Sequence, residues 1–379
     1  GGVGPAPTTH RTDAYHYNSF YTTGSFGRVE ADDVQIAGDS QLVVSASLQI
    51  PVFASNQGIV SSSAGQVWFN STTRKLNFTM DVNTWSAGGN MNLARHYVAG
   101  TGTQNAALAV GGEASPAVKV ETELYNGSTW SESGGDLTIA RAMAAATGTQ
   151  TSALVFGGYV GTDTPVEKNE TESFNGTAFQ ELATMNKTRR LHYGLGTQNA
   201  ALAAGGKTST PAAAIVANSE EWNGTSWYAA ADLNASKGFG AAGGTQNAGI
   251  IFGGSVNLSA SDTNGQTETY DGTSWTERND MVISREALAG DGTQNAAVVF
   301  GGQNAPAGGG LELSCTEEWN GTSWSVANAM GTGRRNVGGG GSQSSAIVFA
   351  GAVAASPYYQ VATEEYSVSA LKTVEIDGV

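Results

Sequence analysis

The apolar positions of this chain fall into short unbroken runs that return at a fixed interval. Ala153-Leu154-Val155-Phe156, Gly249-Ile250-Ile251-Phe252 and Ala297-Val298-Val299-Phe300 each end in two glycines. Runs of that length between glycine signals predict strands buried on both faces. A Gly-Thr-Gln (once Gly-Ser-Gln) precedes each run and begins at 102, 148, 196, 244, 292 and 341, so the spacings are 46, 48, 48, 48 and 49 residues. Such regularity marks one supersecondary unit copied along the chain. Each unit opens with a basic residue followed by small side chains, as in Arg95-His96-Tyr97-Val98-Ala99-Gly100. After the glycine pair come a Glu two residues before an aromatic, a polar turn, and a second aromatic five residues after the first, as in Trp319-Asn320-Gly321-Thr322-Ser323-Trp324. Asn-Gly or Asp-Gly between strand formers is a hairpin turn, because both central residues take positive φ. Four antiparallel strands per unit make a propeller blade.

Six units predict an all-β, six-bladed propeller. The first strands are rich in Gly and Ala, as in Val337-Gly338-Gly339-Gly340, which suits six inner strands crowding round an axis. The last unit is incomplete: Tyr366 is followed by Ser-Val-Ser-Ala, with no hairpin turn. Two segments compete to close the ring beside Val361–Tyr366: the strand around Trp85, which is favoured, and Leu371–Ile376. Upstream, Gln66–Phe69 and Leu76–Met80 predict a hairpin across the turn at Asn70–Thr73. The domain division is an extended N-terminal arm over 1–62, for attachment or oligomerisation, and a propeller over 63–379 with repeats from about 91. The arm carries strand-prone pieces at Val34–Ile36, Leu42–Val44 and Leu48–Ile50, too short to stand alone. The chain starts at Gly1 rather than Met, as expected of a processed chain or one numbered from an internal point.

Composition narrows the function classes. Charged residues are 13% and Gly numbers 52 of 379, fitting a turn-rich β fold. The formal net charge of −15 argues against a nucleic-acid partner, which needs a basic face. No window approaches 18 consecutive apolar residues, so no membrane insertion is expected. Cys315 is alone, which excludes an intrachain disulfide and a metal site built on several thiolates.

The glycine pairs at 111–112, 157–158, 205–206, 253–254 and 301–302, the aromatic ending each third strand and the Trp opening the fourth resemble the kelch family of β-propellers over about residues 91–379. The sixth unit has Ala350-Gly351, and Phe174 and Phe179 replace the usual aromatics of the second. In the kelch arrangement, the segments before the first strand and after the glycine pair open on one face. The segments after the pair differ in every copy: Glu113–Val120, Tyr159–Asn169, Lys207–Asn218, Ser255–Gln266, Gln303–Ser314 and Ala352–Ala362. Variation there against constant turns opposite is the pattern of a scaffold presenting different side chains on one face.

Candidate chemistry is sparse. Arg95, Arg141, Arg189, Lys237, Arg285 and Arg334 recur once per unit. They are candidate ligand-binding residues at the propeller mouth, or else partners of the equally periodic Glu123, Glu172, Glu220, Glu268, Glu317 and Glu364; the matched spacing favours pairing. Galactose oxidase is a propeller of the kelch type, but its copper chemistry needs clustered His, Tyr and Cys; only His96 and His192 fall in this propeller. Asp271-Gly272-Thr273-Ser274-Trp275 is similar to the sialidase turn Ser-x-Asp-x-Gly-x-Thr-Trp, yet its Asp and Gly are adjacent and the match fails. The sequons at Asn126, Asn223 and Asn320 fall on hairpin turns and are explained by them. No catalytic residue, metal or cofactor is expected. Near-identical repeats, a Gly/Thr/Ser/Asn/Ala bias, Thr23–Glu30 and Trp68–Thr73 resemble tail-fibre and virion surface proteins of marine bacteriophages, especially those of cyanobacteria. That resemblance implies a non-enzymatic virion protein at the particle surface. Its arm would bind other virion proteins, and its propeller would bind a host-surface glycan or protein as a homo-oligomer, with a trimer among the options. A decoration or connector protein is the alternative, and a glycan-active enzyme a more distant one.

Overall fold

The computed structural model describes residues 52–53, 67–70 and 75–376, less 116, 162–165, 210–212, 258–262 and 305–310. The arm expected over 1–62 lies outside the described residues apart from Val52–Phe53, which pair in parallel with Phe69 and Asn70.

Every described element is a strand, and the strands form six blades. Blade one is Ala99–Thr103, Ala106–Val110, Thr122–Tyr125 and Trp130–Glu132, each pairing antiparallel with the next. The same order recurs from Ala145, Tyr193, Ala241 and Ala289. Inner strands of neighbouring blades meet in cyclic order, and Gly338–Ser342 of blade six returns to Ala99–Thr103 of blade one.

The second strands are fully buried, as their unbroken apolar runs require; Leu154, Val155 and Phe156 are 0% exposed. Apolar side chains gather between blades rather than within them. One cluster joins Leu154, Phe156 and Met185 of blade two to Ala201, Trp222 and Trp227 of blade three. Another joins Tyr125 and Trp130 of blade one to Ile347 and Phe349 of blade six. Each hairpin carries its two aromatics in contact, with ring centroids 4.7 Å apart for Phe174–Phe179 and 5.5 Å for Trp319–Trp324.

The Gln of Gly-Thr-Gln is more than a turn residue. Gln198 Nε2 donates to the carbonyls of Ala153 and Phe174 in the preceding blade, at 3.0 and 2.8 Å. Gln150, Gln246, Gln294 and Gln343 make the equivalent pair of bonds. Gln104 reaches from blade one to Ala346 and Tyr366 of blade six, so the clasp runs all the way round. An amide donating twice stabilises each joint, because a carbonyl left unpaired there would carry its desolvation cost. The fourth-strand Trp adds a second tie: Trp227 Nε1 donates to Thr171 Oγ1 of the blade before at 2.9 Å.

Closure uses the N-terminal strand. Lys75–Ala87 pairs antiparallel with Thr363–Ile376, placing Trp85 opposite Tyr366. These two rings stand 5.1 Å apart, the aromatic pair of the sixth blade. Trp85 Nε1 donates to Thr316 Oγ1 of blade five at 3.0 Å, as Trp227 does to Thr171. Leu371–Ile376 does not take the outer slot; it continues the third strand and pairs with Leu76–Met80. The hairpin predicted upstream is present, with Val67 opposite Phe78 and Asn70 opposite Lys75. The missing turn after Tyr366 follows from this closure, since the next strand comes from the other end of the chain. Trp85→Ala is therefore expected to destabilise the propeller by about 3 kcal/mol, the low end for aromatic truncation in a core. Urea unfolding would read this; a change below about 0.5 kcal/mol, the scale of an ordinary surface substitution, would mean that the ring closes without Trp85.

Candidate functional site

The six basic residues are not strand residues and do not reach the mouth. Each lies four positions before its inner strand, with a side chain 0–1% exposed. Arg95 pairs with Glu123 at 2.9 Å, Arg141 with Glu172 at 2.8 Å and Arg189 with Glu220 at 2.7 Å. Lys237–Glu268 and Arg334–Glu364 are 2.5 and 2.8 Å apart, and Arg285 pairs with Glu317. The other guanidinium nitrogen closes the loop behind the glycine pair. Arg189 Nη1, for example, donates to the carbonyls of Gly205 and Asn218 at 3.0 and 2.7 Å. The second carboxylate oxygen accepts a backbone N–H at the entry of the preceding segment, as Glu172 Oε2 does from Thr138 at 2.8 Å. Burial lowers the pKa of Arg95, Arg141, Arg189 and Arg334, and the facing carboxylate opposes that fall. The pairing expectation thus describes these residues. They are out of reach of a ligand at the mouth, because each charged group is buried and paired with its glutamate inside the blade.

What reaches the mouth is the pair of residues just after each basic position. The first, at 96, 142, 190, 238, 286 and 335, bridges to the opening residue of its blade's variable segment, as His96 does to Glu113. The second is Tyr97, Met143, Leu191, Phe239, Ala287 or Asn336, all with φ between +54° and +67°. Left-handed backbone costs a non-glycine residue roughly 1–2 kcal/mol, yet no copy uses glycine. Backbone hydrogen bonds hold all six: Met143 N donates to Tyr97 O, Leu191 N to Met143 O, and so on to Tyr97 N, which donates to Asn336 O. The ring of bonds is closed, with lengths of 2.6–3.1 Å. Its side chains face the axis, and Tyr97 meets Phe239 of the opposite blade at 6.0 Å between centroids. Sequence reading missed this ring: the positions on either side of it also differ from copy to copy, so nothing in the repeat singles it out.

Below the ring runs an axial cavity of about 390 Å³ lined by the inner strands. Asp291 is its carboxylate, at a position where the other copies have Thr101, Thr147, Leu195, Gly243 and Gly340. Asp291 accepts from Gly292 N at 2.7 Å and from Gly341 N of the next blade at 3.1 Å. Burial raises its pKa to about 7 despite these bonds.

Around the mouth, the variable segments form short hairpins, Tyr159–Val160 with Val166–Glu167 and Gln303–Asn304 with Leu311–Glu312 among them. Tyr159 hydroxyl donates to Glu113 of the neighbouring blade, and the Arg190 guanidinium lies 5.1 Å over the Tyr159 ring. The opposite face carries the constant turns, where Asn223 Oδ1 accepts from Thr225 N and Ser226 N, both at 2.9 Å. His96 lies at the mouth, while His192 is packed against Phe156 at 5.4 Å, so the two histidines are not brought together. Cys315 is half-buried, and its carbonyl accepts from Arg285. Among the described residues, no three His, Cys, Asp or Glu side chains are grouped as a metal ion would require.

Fold and site together define a six-bladed β-propeller with one constant face and one variable, mouth-bearing face. No protein-family model matches the chain, and no curated protein matches it. A solved structure described as "Structure of YjhT" superposes with a TM-score of 0.62 at 10% identity, covering 76% of this chain and 99% of that one. At that identity, the likeness establishes the shared fold.

Two measurements test these assignments. Glu172→Gln strands a buried guanidinium and is expected to cost about 3 kcal/mol or more, whereas Arg141→Met with Glu172→Met recovers most of the loss. Denaturant midpoints decide this; a single variant as stable as the parent would remove the pair from the framework. Asp291 has a folded pKa raised from 3.8 to about 7, so the folded state binds the extra proton, and stability falls as pH rises through that window. Asp291→Asn should flatten the fall, gaining most over the parent at pH 7 and above; parallel stability curves would contradict the assignment.

Proposed function

We propose that the propeller is a non-enzymatic receptor-binding module whose variable face recognises a host-surface glycan or protein. The observation carrying this reading is the mouth ring. Six different side chains are held in a costly backbone conformation at one repeat position by a closed circuit of hydrogen bonds. Strain kept by surrounding structure points to use. The framework polar groups are spent on building the ring: the Gln on clasps, the Arg–Glu pairs on loop closure, the Asn on turns. Side chains that differ between blades and reach solvent gather on the other face, and loops on a rigid scaffold are where binding residues concentrate. With the resemblance to cyanophage tail-fibre and virion surface proteins, the context we propose is the particle surface. Residues 1–62 serve there as the attachment arm to other virion proteins, within a homo-oligomer.

The test is binding of the fluorescently labelled full chain to marine cyanobacterial cells. Saturable binding is expected. It should be abolished by Met143→Glu at the mouth, with thermal unfolding unchanged, and unaffected by Tyr228→Ala on an outer strand. A chain that binds no cell to which the whole particle adheres would overturn the reading, as would a particle in which the mouth face is buried against another subunit.

A further inference from the structure

A second cavity, of about 430 Å³, opens on the mouth face between blades five, six and one. That volume suits one small ligand or one unit of a larger one. Its first wall is aromatic. His96 stacks on Tyr359 with centroids 4.4 Å apart and planes at 22°, and the Tyr97 ring adjoins His96 at 4.3 Å. Tyr358, 60% exposed, stands on the same lining. Gln303, Arg335 and Asn336 form the second, polar wall. The Asn336 amide nitrogen meets His96 Nδ1 at 3.4 Å, while its oxygen, in a residue only 8% exposed, has no protein partner. An acceptor that deeply buried calls for a donor.

Charge then narrows the ligand. Arg335 donates to Gln303 Oε1 at 2.8 Å and lies 3.6 Å from Glu312. Gln303 in turn donates to Glu286 at 2.7 Å, and Glu113 stands 3.8 Å from His96. Burial lowers the His96 pKa, leaving that ring neutral at neutral pH. Behind the lining, one cation is thus set against Glu312, Glu286 and Glu113, so an anionic ligand would find no net attraction there. A ligand is needed with an apolar face to lie on an aromatic ring, hydroxyls that both donate and accept, and no negative charge.

We propose that this cavity binds a neutral pyranose unit of a surface glycan, its C–H face on Tyr358 and its hydroxyls on Asn336, Gln303 and Arg335. This assignment rests on the receptor-binding reading of the mouth face and names its ligand class. The full chain would be applied to an array of hexose-, deoxyhexose- and N-acetylhexosamine-terminated glycans beside uronate- and sialate-terminated ones. Binding confined to neutral termini is expected. Tyr358→Ala should weaken it about tenfold, the loss of roughly 1.4 kcal/mol of aromatic contact. Gln303→Ala should weaken it as well, and Tyr228→Ala should leave it unchanged. Binding to acidic termini alone would overturn the ligand class, and binding untouched by Tyr358→Ala and Gln303→Ala would overturn the site. A blank array with cell binding retained overturns this proposal and spares the receptor-binding reading; loss of both overturns the two together.

Discussion

No blade of this ring has a core of its own. Each second strand is buried, but the side chains that bury it belong to the blades on either side. Apolar burial therefore reaches its full value only when the ring is closed, and closure is the constraint on which the rest depends. The Gln clasp and a shared apolar cluster serve it at every joint, and a Trp–Thr tie reinforces four of them. At the final joint, they bring together the two ends of the propeller chain, with Gln104 reaching Tyr366 and Trp85 standing opposite it. The outer edges that remain on blades one to five are strands of only three or four residues.

With the framework held by constant residues, the remaining positions are free to vary, and they vary on one face. The buried Arg–Glu pairs stand at the junction of the two regimes. Their five arginines bind the carbonyls at the glycine pairs of their units, so those variable segments leave from anchored points. Glycine is needed at those points. Gly112 takes φ +97°, and a Cβ there would sit 2.8 Å from the His96 carbonyl oxygen. One residue beyond the basic position and its neighbour, the chain enters the left-handed region again, but there it carries Tyr, Met, Leu, Phe, Ala and Asn. The contrast separates a backbone need, answered by glycine, from a side-chain need that outweighs the backbone cost.

The framework was far more legible than the site. Period, hairpin turns, buried strands and the Arg–Glu match are all local or periodic signals, and each appears six times or nearly so. Repetition averages out the ambiguity that a single short apolar run carries. The basic ring shows the limit of that method. Periodicity tied each Arg to its Glu, but whether the pair faced solvent or filled a blade depended on packing that spacing does not report. The mouth residues and the cavity at Tyr358 and Gln303 lie in segments that differ from copy to copy, where repetition gives no help.

By itself, the sequence determined the all-β class, the number of blades and the strand order within a blade, and it favoured pairing each basic residue with its glutamate. These follow from hydrophobic period and turn chemistry, which act over a few residues. Tertiary structure alone decided that the Trp85 strand closes the ring, that the constant Gln is a clasp between blades, and that six unlike residues meet round one axis. Those outcomes join residues 24 to 300 positions apart, and only the closed circle brings them within hydrogen-bonding or van der Waals reach.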